Sequence, residues 1–209
     1  MSHAPMPDAE GLAEPLRSRW SPSVFDDAHE LTSAEVATLL VAASWSPSAG
    51  NSQPWRFVVA LRGSPTHAAF VPHLSRGNSG WVPRASLVLV AGCEVVDVKD
   101  ADTARYDLGQ ASAHVTLQAR AMGLHTHQFA GFDKPAAALA LGVPESVRLM
   151  AGIAIGVRGD PADVPERDRE REDRERTRRP LGEIAFTAGD PGDPGDPGDP
   201  GGGWRPWAG

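Results

Sequence analysis

The sequence predicts helices packed on a sheet that is buried on both faces, an α/β or α+β fold. Three runs carry that reading: "RFVVALR" (56–62), "ASLVLVAGC" (85–93) and "RLMAGIAIGVR" (148–158) are almost continuously apolar at strand length. A strand with one face in water alternates apolar and polar residues, whereas a strand apolar throughout is covered on both sides. Between the second and third runs, Leu108, Ala111, Val115, Ala119 and Met122 recur at helical spacing and give the segment 103–122 one apolar stripe. Strands and helices therefore interleave along the chain, as layers around a sheet require.

Taken in order, residues 1–14 read as a disordered lead. The segment "ELTSAEVATLLVAASW" (30–45) reads as a helix, with Val36, Leu39, Leu40 and Ala43 on one face. Thr32 and Glu35 have the spacing of a capping box, in which each side chain satisfies a backbone N–H of the first turn. Pro47 stops this helix, because it lacks an N–H and its ring blocks the preceding turn. The first two strands follow, then the helix 103–122, which Gly123 closes as a C-cap. Asp107, Gln110, His114 and Gln118 form a polar edge beside its stripe, facing solvent or a partner helix. A short strand, "LHTHQFA", comes next, then a small helix, 134–141, closed by Gly142, and then the third strand.

Composition shifts after residue 160. The run "ERDREREDRERTRR" alternates six acids with seven arginines, the pattern of a solvated face or mobile loop. "PLGEIAF" regains apolar character. "GDPGDPGDPGDPGGG" repeats a tripeptide four times, too few for a collagen helix, and reads as an acidic, polyproline-prone disordered segment. "GWRPWAG" brings two tryptophans that either dock or stay loose. The expected organisation is a lead (1–14), a folded domain (15–187) and a low-complexity tail (188–209).

The 209 residues amount to roughly one domain. A formal charge of −7 argues against a general nucleic-acid binder, which would show a basic field. No apolar run approaches the roughly 20 residues that span a bilayer, and the start has no signal-peptide core. Cys93 stands alone, so it forms no internal disulfide, and its apolar surroundings suit a buried thiol. The expectation is a soluble, cytoplasmic protein with no nucleic-acid or membrane partner.

The chain has no G-x-G-x-x-G, no G-x-x-x-x-G-K-[ST], no G-x-S-x-G and no C-x-x-C. His125 and His127 would share one face of a strand, but a metal needs a third ligand, and only His114 or Asp133 could be recruited; no metal site is expected. Two polar stretches remain. In "RSRWSPSVFDD" (17–27), Arg17 and Arg19 sit near Ser18 and Ser21, and guanidinium forks with hydroxyls suit a phosphate. In "PSAGNSQPW" (47–55), Pro47 and Pro54 fix the backbone at both ends, Gly50 allows close approach to a ligand, and Asn51 and Gln53 carry both donors and acceptors. A tight structural connection uses the same residue types.

"RWSPSVFD", "AASWSPSAGNSQPWRFVV", "DLGQASAHVTLQARAMGLHTHQFAGFD", "IAIGV" and "RTRRPLGEI", in that order, resemble the nitroreductase family of FMN-dependent oxidoreductases. The resemblance implies an α+β, three-layer fold: a mixed central sheet flanked by helices, in an intertwined homodimer with FMN at the interface and helix 103–122 central to it. It implies that Arg19 and Ser21, with Arg17 near them, hold the FMN phosphate, Ser23 standing where a basic residue is common. Arg176 and Arg178, beside Arg179, would reach the same phosphate. Pro47, Ser48, Ala49, Asn51 and Gln53 would wall the flavin of the neighbouring chain. Gln128, Phe129, Ala130 and Gly131 would lie beside the ring, Ala130 replacing a common carboxylate, and Asn78 would make a polar contact. No side chain need be catalytic, since the flavin carries the chemistry. NADH or NADPH would pass hydride to flavin N5, and a nitroaromatic, quinone or similar small-molecule acceptor would then take the electrons, by a ping-pong mechanism. Three other roles stay open: a flavin dehydrogenase with a dedicated substrate, a flavin-binding storage or sensing protein without turnover, and a scaffold that has lost flavin.

Overall fold

The computed structural model describes residues 9–95, 100–164, 166–172, 176–188 and 204–206; the first part of the expected lead and the GDP repeat lie outside them. The chain divides into two compact units, residues 1–174 and 175–209. The first holds α1 (Glu14–Ser18), α2 (Ser33–Ser44), β1 (Trp55–Leu61), α3 (Pro65–Phe70), β2 (Leu87–Glu94), α4 (Ala101–Ala121), β3 (His125–Phe129), α5 (Lys134–Ala140), β4 (Val147–Gly156) and α6 (Glu166–Glu172). In the second, β5 (Phe186–Ala188) pairs antiparallel with β6 (Trp204–Pro206).

The four strands of the first unit form one sheet in the order β1-β2-β4-β3. Each neighbouring pair is antiparallel, so the mixed sheet implied by the resemblance shows no parallel pair among the described residues. The continuous apolar character of β2 has the reason its sequence suggests. Leu87, Leu89, Ala91 and Cys93 belong to a core shared with Leu39 of α2 and with Leu108, Ala111 and Val115 of α4. Val88 and Val90 point the other way, into a core with Phe70 of α3, Ala137 of α5, Trp81 and Phe132. Helices on both faces of an antiparallel sheet make this an α+β, three-layer fold.

Local chemistry sets the helix ends. Thr32 caps α2 through the full capping box with Glu35, and the helix ends at Ser44, before Pro47. α4 begins at Ala101 because the Asp100 side chain accepts from the backbone N–H groups of Asp102 and Thr103. Leu108, Ala111, Val115 and Ala119 of its predicted stripe are buried and Met122 is half-buried, but Asp107, Ser112 and Thr116 are buried too. The predicted third strand stops at Gly156, earlier than its apolar pattern. Beyond it the chain pairs with the N-terminal segment: Asp26 N–H donates to Val157 O at 2.9 Å, and Phe25 bridges Arg158. α1, α3 and α6 are additions to the expected elements. In α6 the charged run becomes helical, and Glu172 is only 1% exposed.

Candidate functional site

A cleft of about 370 Å³ opens between the segment after α1, the face of α4 and strand β3, lined in part by Arg19, Ser21, Thr116, Thr126, His127 and Gln128. Each element supplies its part for a local reason. α1 gives way to extended backbone at Arg19. Two residues on, Ser21 stands beside it, with Arg19 Nη1 3.4 Å from Ser21 Oγ. β3 projects successive side chains to opposite faces. Thr126 is buried within, while Gln128 reaches across to α4, where its Nε2 donates to Thr116 Oγ1 at 2.9 Å and to Ser112 O at 3.3 Å.

His127 forms a side wall. Its ring stacks on Trp81 at 4.3 Å between centroids, and its Nδ1 lies 2.9 Å from Pro22 O. A carbonyl oxygen only accepts, so Nδ1 carries a proton. His125 differs. Burial first, and the cations of Arg120 and Arg158 second, push its pKa down to about 4. Its Nδ1 has no hydrogen-bond partner. Among the described residues, no group of three or more His, Cys, Asp or Glu side chains is placed to hold a metal.

The loop 47–54 is built as a strained turn and does not line this cleft. Gly50, Asn51 and Gln53 have φ of 58°, 57° and 47°, the left-handed region that disfavours side chains at the last two. Internal bonds hold it: Ser48 Oγ accepts from Gln53 N–H at 3.1 Å, and Gln53 Nε2 donates to Asn51 Oδ1 at 3.1 Å. Outside anchors fix its position: Pro54 O accepts the Glu94 N–H at 2.8 Å and Gln53 O accepts from Arg56 Nη1 at 3.1 Å. The Asp107 carboxylate of α4, 2% exposed, accepts the Ala49 N–H at 3.0 Å. Asn51 and Gln53 are exposed.

The segment 128–131 is pinned from two sides. Gly131 O accepts from Asn78 Nδ2 at 2.9 Å and from Ser75 N–H at 3.0 Å, while Ala130 O accepts from Lys134 Nζ at 2.9 Å. Asn78 also takes the Trp81 indole N–H on its Oδ1 at 3.3 Å. The structure thus brings Arg19, Ser21 and Gln128 to one cleft, while Arg17 is exposed outside its lining. Arg176 and Arg178 belong to the second unit. Sequence reasoning missed Asp107 as an anchor and Glu172 as a buried carboxylate. An acid inside an alanine-rich helix marks Asp107; nothing separates Glu172 from the five other acids of its run.

The chain matches the model of the nitroreductase family over residues 16–157. It is 40% identical over 142 residues to an uncharacterized 15.4 kDa protein of Mycolicibacterium smegmatis, spanning 63% of this chain and 95% of the relative. A protein of Archaeoglobus fulgidus, named provisionally as an NADH dehydrogenase or NAD(P)H nitroreductase, is 26% identical over 158 residues, 73% of this chain and 88% of the relative. Among solved structures, an oxidoreductase containing FMN superposes with a TM-score of 0.78 at 32% identity, over 89% of this chain and 96% of that one.

Proposed function

This chain belongs to the nitroreductase family, and on that premise we propose that it is an FMN-dependent oxidoreductase taking electrons from NADH or NADPH. The acceptor in this reading is a nitroaromatic, a quinone or a small molecule of similar chemistry. The observation that carries the proposal is the convergence of Arg19, Ser21 and Gln128, distant in sequence, on one cleft.

FMN is a flat ring on a chain that ends in a phosphate, and the donors of the cleft fit it. A guanidinium and a hydroxyl side by side suit phosphate oxygens. Gln128, already held by α4, presents its amide where a ring edge would lie. When bound, FMN supplies a ring nitrogen, N5, that accepts a hydride and returns it. The residues of the chain hold, orient and shield. Arg19 and Ser21 anchor the phosphate end, Gln128 and the backbone of 129–131 set the ring edge, and His127 walls one side. Donor and acceptor use one open face in turn, which gives ping-pong kinetics.

The assembly in this reading is a homodimer. An apolar cleft of about 570 Å³ lies along α2 and α4, bordered by Val41, Trp45, His114 and Leu117. Trp45 is 81% exposed and Val41 54%, a large apolar surface for a lone molecule. Loop 47–54 begins beside that face, so a partner would carry its loop toward the flavin of the first chain.

The test is a visible spectrum of the purified protein, before and after NADH or NADPH is added without air. Oxidised-flavin bands that bleach support the whole reading. Bands that persist favour a flavin binder without turnover or a different reductant. No bands, even after incubation with FMN, remove the cofactor.

A further inference from the structure

The segment that carries Arg19 and Ser21 is gripped from outside at nearly every following residue. The guanidinium carbon of Arg158 lies 5.0 Å from the ring centroid of Trp20. Pro22 O takes the Nδ1–H of His127, and Val24 O accepts the Gly159 N–H at 3.1 Å. The backbone donors of Ser23 and Val24 meet one side chain. Glu172 Oε1 accepts both the Ser23 N–H and, at 3.1 Å, the Val24 N–H, while Glu172 Oε2 accepts from Arg158 Nε at 3.3 Å.

This is an unusual place for a carboxylate. Glu172 is 1% exposed within a run of alternating charge, and burying a charge costs stability unless every lone pair is used. Burial pushes its pKa up, against the opposing pull of the Ser23 and Val24 N–H groups and of Arg158. One of the N–H groups it holds, that of Ser23, is two residues from Ser21, and a negative charge so near would repel a phosphate. Attraction for the ligand therefore cannot be its use, whereas holding the backbone can.

We propose that Glu172 is a positioning residue: its carboxylate fixes the backbone of Ser23 and Val24 and so aims Arg19 and Ser21 at the phosphate of a bound flavin. The inference rests on the flavin reading above. What matters is the reach of the Glu172 oxygen, not its charge. The amide oxygen of Gln has the same reach and can accept both N–H groups. Asp keeps the charge but falls one methylene short. Ala offers nothing.

The experiment measures dissociation constants of FMN and of riboflavin, which lacks the phosphate, on the flavin-stripped full chain by quenching of flavin fluorescence. Glu172→Ala and Glu172→Asp are expected to cut the preference for FMN over riboflavin roughly tenfold, with riboflavin affinity held within about twofold. Glu172→Gln is expected to keep most of the preference. The opposite order, with Asp retaining the preference and Gln losing it, would overturn the proposal in favour of charge. Parallel weakening of both flavins in Ala and Asp would also overturn it, as the mark of a general packing role. An unchanged or increased preference for FMN in Asp would do the same without disturbing the flavin reading. A wild-type chain that takes up neither flavin removes that reading, and the inference with it.

Discussion

His125 is uncharged at neutral pH, since its burial and the nearby Arg120 and Arg158 push its pKa down to about 4. In the unfolded chain the ring returns to the ordinary histidine value of about 6.5. Between those values the unfolded state binds a proton that the native state refuses. The contribution is therefore intact above the unfolded value and is lost as pH falls through the window. Urea unfolding midpoints measured from pH 4 to 7 should rise with pH, and His125→Asn should flatten that slope. The difference between the two profiles isolates His125 from Glu172, whose raised pKa acts in the opposite sense. At this scale the sequence was legible wherever a side chain belongs to a local pattern. Arg19 and Ser21 were readable because they lie two apart in a motif, and Gln128 because it stands in a stretch that carries the family resemblance. Asp107 and Glu172 were not, since each bonds backbone N–H groups of a distant loop, and a backbone donor looks the same in every sequence.

The strands and helices answer to longer patterns. The stripe of α4 was readable because five apolar residues repeat over about four turns, and the start of α2 because its cap is local. The end of β4 was hidden, because what stops it is pairing with residues 24–26. α6 was hidden because charge alternation predicts solvent, while one residue of the seven decides where the helix docks. Within the sheet, Gly152 of β4 stands opposite Phe129 of β3. A Cβ at Gly152 would come within 2.2 Å of the Phe129 ring, which is buried and packed edge-on against Trp81 and Phe132. That ring has no free direction to move. Gly152→Ala should cost about 1–3 kcal/mol, read as a lower urea midpoint. Phe129 lies between Gln128 and Ala130, so the displaced ring should also lower the flavin content of the purified protein.

At the scale of the whole molecule, the face bearing Val41, Trp45 and Leu117 decides the assembly we propose. Trp45→Glu places a charge in the middle of it without touching the buried core. The variant should elute from a sizing column later than the wild type and retain less flavin, because the partner's loop is lost together with the partner. Wild-type and variant eluting alike as monomers would remove the dimer. The fold was legible at this scale because continuous apolar runs demand cover on both faces, while a partner chain leaves no mark on periodicity. The strand order has a further consequence, in the timing of synthesis. β2 is apolar on both faces and lies between β1 and β4. About fifty residues separate Glu94 from Val147, so at roughly 5–20 residues per second the ribosome leaves the β4 edge of β2 without its partner for about 3–10 seconds. Through that interval the nascent chain presents an unpaired apolar edge, and α4, emerging between the two strands, adds to the cover that α2 and α3 already offer its faces.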